Sequence, residues 1–345
     1  MFNQTHKMNL QVRLKSRPVG LPQAQHFELV TQPIEELGVD QVLIRIFYVS
    51  VDPAMRGWVN ATNNYAQPVT VGDVMKSFAI GRITKSKNLS WKEGDLVTGL
   101  FGWQQWAVVH GSVIDRKVNS GMLSDLPLSV TLGVLGLNGV TAYFGLLEIG
   151  KPKSGETVIV SSGAGSVGSC VGQIAKIMGC RTVAVSGGPV KSELAKNYFN
   201  FDVSVDYKSG HLLSDIKKAC PNGVDIYFDN TSGPISDAVL PLLNQSSRVV
   251  VCGTVAFENW DPPPLGPRSD RQILVTRSKI EGFIAPDFQH RWEDAYVQLA
   301  QWLKEGRIKI KEDILYGLES APDSIAGLYR GENIGKRVIH VANDD

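Results

Sequence analysis

Residues 157–168, TVIVSSGAGSVG, set an apolar β-like run directly before a complete G-x-G-x-x-G, with glycines at Gly163, Gly165 and Gly168. Downstream, Val167, Cys170, Val171, Ile174, Ile177 and Met178 recur at offsets of 3, 4, 7, 10 and 11, the spacing of one helix face. A strand, a glycine turn and a helix start in that order form a cradle for a dinucleotide pyrophosphate. The first glycine permits a tight turn, the second lets phosphates approach the backbone, and the third lets helix and strand pack closely. The helix start adds free N–H groups and the positive end of its dipole. Glycine-rich turns also serve as plain bends, and the flanking strand and helix are the context that separates the two cases.

A strand–turn–helix unit of this kind belongs in a parallel sheet, and the surrounding pattern agrees. Strands are expected at 157–161, 181–186, 203–207, 224–229 and 248–252, alternating with helices at 166–178, 190–198, 211–219 and 235–243. A further strand at 279–284 and a helix at 289–305 complete six strands. Such alternation forces crossover connections and a doubly wound α/β sheet. Residues 1–125 read differently: short apolar runs such as 41–51 and 95–102 alternate with Gly, Pro and Asn, the spacing of a barrel or sandwich. The tail shows strand-like runs, ILYGL and KRVIHV, that return to this first part. The expected division is a β-rich part at 1–128, a dinucleotide-binding part at 129–306, and a return at 307–345. The proline-rich loop 261–272 covers a pocket or simply connects elements on the surface.

A chain of 345 residues has ample length for two such parts. Its formal charge of +1 offers no attraction for nucleic acid or an anionic membrane. Residues 126–147 carry no charge and are long enough to span a bilayer, but Pro127, four glycines and Asn138 suit a buried segment better. The first residues lack the apolar core of a signal peptide. Cys170, Cys180, Cys220 and Cys252 are widely spaced with no C-x-x-C pair, which fits reduced thiols in the cytoplasm. Zinc would need clustered ligands; no cysteine precedes Cys170, and His6, His26 and His110 show no paired spacing.

In NAD-binding sheets an acidic residue about 20 positions past the glycines accepts the ribose hydroxyls. Here the second strand, RTVAVS, ends at Ser186-Gly187-Gly188 with no carboxylate, and Lys191 follows. A small uncharged strand end beside a cation suits a ribose 2′-phosphate, which an acid would repel. NADPH is therefore the expected cofactor. The alternative for Lys191 is a solvated lysine at a helix start.

The segments VSVDPAMRG (49–57), 132–158, VDYK (205–208), DIYFDN (225–230), DAVLPLLN (237–244), RVVVCG (248–253), EGFI (281–284) and GENIGK (331–336) run nearly end to end in one order. In these the chain resembles the zinc-independent medium-chain dehydrogenases/reductases. Within them it resembles the leukotriene B4 dehydrogenase/prostaglandin reductase branch, above all its bacterial curcumin-reductase-like members. The resemblance implies a GroES-like catalytic domain split between the chain ends, a Rossmann domain inserted in it, and an active site in the cleft. It also implies homodimers that reduce the carbon–carbon double bond of α,β-unsaturated ketones or aldehydes with NADPH.

Carried over residue by residue, Gly163, Ala164, Gly165, Ser166, Val167 and Gly168 match the pyrophosphate turn, and Lys191 and Tyr207 the 2′-phosphate contacts. Asn230 and Asn333 match cofactor-contacting asparagines. Cys252, Gly253 and Thr254, on to Phe257, and Phe283, Ile284 and Ala285 match loops flanking the nicotinamide. Each also has a plainer role: Tyr207 as an aromatic at a strand end, Asn230 as a turn former bonding its own backbone, Asn333 as part of a turn before the last strand.

Without metal, the feasible reaction is direct hydride transfer to the electrophilic β-carbon of an enone, with the reactants aligned and the enolate stabilised by donors. The donor is where the chain departs from its relatives. Many members carry tyrosines where this sequence has Ala54 and Glu258. Tyr65 matches a tyrosine of the curcumin-reductase-like members and is the best remaining candidate to stabilise or protonate the enolate; the alternative is a packing role, with bulk water or the cofactor ribose hydroxyl serving instead. Arg56 either pairs with Asp52 or contacts a cofactor phosphate. Trp58, Trp103, Trp106, Trp260 and Phe257 either wall a pocket for a small hydrophobic or aromatic electrophile or pack the core. An NADPH:quinone reductase and a non-catalytic NADPH-binding protein remain as alternatives.

Overall fold

The computed structural model describes residues 7–61, 65–123, 126–257, 262 and 264–344. Its contacts divide the chain into two units, Met1–Leu132 with Glu312–Asp345, and Gly133–Lys311.

The first unit opens with an antiparallel ribbon of β1 (Met8–Leu14) and β2 (Phe27–Pro33), paired from Met8↔Pro33 to Leu14↔Phe27. Then come β3 (Gln41–Ser50), α1 (Met55–Trp58), β4 (Ala79–Ser86), β5 (Leu96–Gly99), β6 (Trp106–His110), β7 (Ile114–Lys117) and α2 (Ser120–Leu123). β3 pairs antiparallel with β4 and, over Gln41–Arg45, with β6. Its apolar residues are buried on both faces, so Ile44, Ile46 and Val49 join Val97 and Trp103 in one core.

The second unit begins with α3 (Leu137–Phe144), which widens into a π-helical stretch, Gly145–Gly150. There follow β8 (Thr157–Ser161), α4 (Ser166–Ile177), β9 (Arg181–Ser186), α5 (Pro189–Glu193), β10 (Val203–Asp206), α6 (Leu212–Ala219), β11 (Val224–Asp229) and α7 (Gly233–Val239). β12 (Leu243–Val251), α8 (Asp270–Thr276), β13 (Lys279–Gly282) and α9 (Trp292–Lys304) complete it. The six strands are parallel in the order β10-β9-β8-β11-β12-β13. β8 is central and buried along its whole length, as a strand covered on both faces must be. The chain reverses direction across the sheet between β8 and β11, which makes their carboxyl ends the topological switch point.

β14 (Glu312–Tyr316), α10 (Ala321–Arg330) and β15 (Lys336–His340) return to the first unit, giving a sheet ordered β14-β15-β3-β4-β5-β7. β15 takes the edge of β3 that β6 leaves, pairing Val338 with Ser50. Lys336 is buried there, with Nζ donating to Asp52 Oδ1 at 2.6 Å, Ser50 Oγ at 2.6 Å and the Val51 carbonyl at 3.1 Å.

The mixed architecture, one unit with a doubly wound parallel sheet and one with a β-rich sheet built from both chain ends, is as the sequence patterns lead one to expect. Several element bounds differ. The helix expected at 235–243 ends at Val239, because Pro241 follows in a 3-10 turn, and β12 then begins at Leu243 instead of 248. Residues 285–291 form a separate 3-10 stretch, so α9 starts at Trp292. Helices α3, α8 and α10 have no counterpart in the expected elements. No helix among the described residues is long and apolar enough to cross a membrane. The uncharged stretch 126–147 instead contains α3 and a buried 3-10 turn, Leu128–Leu132.

Candidate dinucleotide site

The glycine turn joins β8 to α4, and each glycine is required for a different contact. A Cβ on Gly163 would lie 2.6 Å from Ala184 Cβ in neighbouring β9, and one on Gly168 would lie 2.2 Å from the Ser162 carbonyl oxygen. The left-handed backbone falls on Ser162 (φ +55°), not on the first glycine. Gly163 therefore serves close strand packing, and the sharp turn passes to its neighbour. Gly165 caps α4, and its N–H donates to the Ser162 carbonyl at 2.9 Å. The first amides of α4, from Ser166, Val167 and Gly168, have no intrahelical carbonyl to serve and so suit an anion.

Across the switch point, Asn230 follows β11. Its Nδ2 donates to the Ser161 carbonyl at 2.7 Å and its N–H to Ser161 Oγ at 2.8 Å, tying the ends of β8 and β11 together. The side chain thus bonds a neighbouring strand and not its own turn. Buried Asp229 accepts from the amides of Thr231 (2.9 Å) and Ser232 (2.7 Å) and from the hydroxyls of Ser236 (2.6 Å) and Ser161 (3.2 Å). Its carbonyl receives the N–H groups of Cys252 (2.8 Å) and Gly253 (3.1 Å), which brings the loop after β12 to the same place. A Cβ on Gly253 would lie 2.8 Å from the Asn230 carbonyl oxygen. Thr254 starts the turn closed by the Phe257 N–H. Burial, with the Asp229 carboxylate second, pushes the Cys252 thiol up to about 12.

At the next corner, the Tyr207 ring covers Gly187: a Cβ there would lie 2.8 Å from Tyr207 Cε1 and 3.0 Å from its hydroxyl. Lys191 is the third residue of α5, which packs on β9 and β10. Ser186, at the end of β9, is 1% exposed, and its hydroxyl finds no hydrogen-bond partner among the described residues. An unserved buried hydroxyl costs about 1–3 kcal/mol. That orphan donor, together with the close-packed glycine turn, fits a dinucleotide whose adenosine end lies over this corner.

The remaining expected residues divide between the units. Phe283 packs edge-on against Phe228, with ring centroids 6.4 Å apart, in room left by Gly145. Ile284 is half-buried, and the buried Ala285 accepts from Trp292 Nε1 at 3.1 Å. Asn333 lies in the first unit, where its Nδ2 donates to the Gly335 carbonyl at 2.8 Å in the turn before β15. Tyr65, 63% exposed, also lies there; Glu258 and Trp260 fall outside the described residues. Trp58 and Trp103 belong to the first unit's core. Arg56 is buried and donates to Asn60 Oδ1.

Sequence reasoning missed Ser162, Asp206 and Asp229 as organisers. The only signal for the two acids is a carboxylate at the last position of a parallel strand, next to loops that need an acceptor.

A doubly wound sheet with a glycine turn at its switch point, in one chain with a β-rich unit made from both ends, defines the dinucleotide-dependent dehydrogenase/reductase class. Residues 10–116 match the family model for the N-terminal domain of oxidoreductase, and residues 166–302 that for zinc-binding dehydrogenase. The chain is 42% identical over 351 aligned positions to the NADPH-dependent curcumin reductase of Escherichia coli (strain K12), covering 100% of both. It is 34% identical over 341 positions to the NADP(+)-dependent 2-alkenal reductase of Nicotiana tabacum, covering 97% of this chain and 98% of that protein. The crystal structure of CurA in complex with NADPH from Vibrio vulnificus superposes with a TM-score of 0.90 at 38% identity, over 97% of this chain and 99% of that one. The chain belongs to the zinc-independent medium-chain dehydrogenases/reductases, in the branch of the curcumin, alkenal and prostaglandin reductases. Among its described residues no three His, Cys, Asp or Glu side chains gather as a metal site, so the donor set does not fit the zinc of the second model's description.

Proposed function

We propose that this chain is an NADPH-dependent reductase of the carbon–carbon double bond in α,β-unsaturated ketones and aldehydes, working as a homodimer in the cytoplasm. The observation that carries the proposal is the switch-point cradle with an uncharged β9 end, Ser186-Gly187-Gly188, beside Tyr207 and Lys191. The names of the relatives supply the substrate class: curcumin and the 2-alkenals both conjugate an alkene to a carbonyl. Four free cysteines support a reducing compartment.

When bound, NADPH supplies the hydride that the β-carbon of the substrate accepts, leaving negative charge on the carbonyl oxygen. The chain's residues divide the rest of the work. The amides of Ser166, Val167 and Gly168 receive the pyrophosphate, and Lys191 and Tyr207 the 2′-phosphate. Asn230, the loop Cys252–Thr254 and the stretch Phe283–Ala285 border the nicotinamide. Tyr65 donates a hydrogen bond to the developing enolate, the step at which a preorganised donor contributes most, and a proton from Tyr65 or from water then reaches the α-carbon to complete the saturated carbonyl product. The half-buried Phe257, in the loop after β12, supports a hydrophobic or aromatic substrate.

The test mixes purified protein with NADPH and a panel of enones, enals and quinones, follows loss of the nicotinamide absorbance, and identifies products. Consumption with enones or enals, giving saturated carbonyl compounds, is the expected result. Turnover of quinones alone, or tight NADPH binding with no turnover across a broad panel, overturns it.

A further inference from the structure

Asp206 ends β10 directly before Tyr207, and its carboxylate bridges two loops. Oδ1 accepts from the Gly188 amide at 2.7 Å and from the Lys208 amide at 2.9 Å. Gly188 has φ +85°, a backbone region that other residues rarely adopt, and it is the residue from which α5 and Lys191 depart. Tyr207 lies between the two anchored points, and its own N–H donates to the Ser186 carbonyl at 3.0 Å. Fixing Gly188 and Lys208 therefore fixes the face of Gly187 on which the Tyr207 ring rests. An acid at this corner would ordinarily disfavour a phosphate. Here two backbone donors aim at one of its oxygens, so its geometric effect is separable from its charge.

We infer that Asp206 is a positioning residue for NADPH selection: its carboxylate clamps the Gly187–Gly188 loop to the Tyr207–Lys208 loop and so sets the corner that receives the ribose 2′-phosphate. The inference rests on the proposal that Lys191 and Tyr207 contact that phosphate. Calorimetric binding of 2′,5′-ADP and of 5′-AMP, which differ only in the 2′-phosphate, tests it without turnover. Asp206→Ala should weaken 2′,5′-ADP about tenfold, the size of one lost charge-assisted hydrogen bond, and change 5′-AMP by less than about twofold. Asp206→Asn removes the charge but keeps an acceptor, and should restore most of the loss. If both variants tighten 2′,5′-ADP, Asp206 acts by repulsion alone and the inference fails. It also fails if Asp206→Ala weakens both ligands equally or neither, while Lys191→Ala selectively weakens 2′,5′-ADP. If Lys191→Ala has no selective effect either, the phosphate corner itself is misplaced.

Discussion

Ser162 holds a left-handed backbone that costs a non-glycine residue about 1–2 kcal/mol. It persists because its carbonyl is used twice, as acceptor for the Gly165 N–H and as the seat on which Gly168 rests. The three glycines were legible in the sequence as a set; that Ser162, and none of the three, absorbs the turn was not, since φ at one residue depends on packing against β9. Asn230 shows the same limit. Its type suits a turn, but its partner is Ser161, 69 positions earlier in the chain. Tyr65 is the residue whose proposed role asks most of the chemistry. Tyr65→Phe should lower turnover about tenfold or more, as loss of an oxyanion donor does, while leaving NADPH affinity unchanged. Steady-state rates beside a binding titration check this, and an unchanged rate removes Tyr65 from catalysis.

Among the elements, β13 is one of the two outer strands of the second unit's sheet, opposite β10, and all four of its residues are exposed. Leu274 and Val275 of α8 and Ile280 of β13 are also exposed, 76%, 55% and 44%. A bare edge flanked by apolar side chains is a template for another strand. Antiparallel pairing about a two-fold axis through Ile280 sets Lys279 opposite Glu281 of the partner subunit, and Glu281 opposite Lys279 of the partner subunit. The edge is thus complementary in charge to itself, which supports the proposed homodimer. Lys279→Glu would place like charges opposite each other twice, at about 1 kcal/mol per lost pair, and weaken association tenfold or more. The double exchange Lys279→Glu with Glu281→Lys should restore it. Sedimentation equilibrium checks both, and a native protein that stays monomeric at micromolar concentration ends the proposal. Alternation of strand and helix patterns was sufficient to anticipate this sheet. The chain-order pattern is silent on which strand lies at the edge, because edge position is a property of topology.

For the molecule as a whole, titrating groups bound the pH range of stability. Burial pushes the thiols of Cys170 and Cys252 up to about 12 and those of Cys180 and Cys220 to about 11. In the unfolded chain a thiol ionises near about 8.5, so the unfolded state releases protons first. The stability contribution is full below that value and is lost as pH rises toward 11 and 12. Carboxylates act at the other end. Burial would raise Glu156 and Asp202, but hydrogen bonds from Arg248 and Lys176, with backbone amides, outweigh it and hold both below the ordinary range. Their contribution is present above about pH 4 and is lost as pH falls through their lowered values. Urea denaturation across pH should show a plateau near neutrality with a loss above about pH 9, and the buried thiols of Cys170, Cys180 and Cys220 should resist a disulfide reagent at pH 8. Thiols that react in the folded protein as fast as in urea would contradict the burial argument. Residue order alone was enough for the parallel sheet, its glycine turn and the lack of an acid at the end of β9, because period, motif and strand end are short-range features read along a few residues. It takes the packed chain for Asp229 to gather the ends of β8, β11 and β12, for Asp206 to join two loops, and for Lys336 to meet Asp52 across 284 positions of chain. A buried polar group needs a partner, but which one it meets is set by how distant segments pack, and no local pattern encodes that.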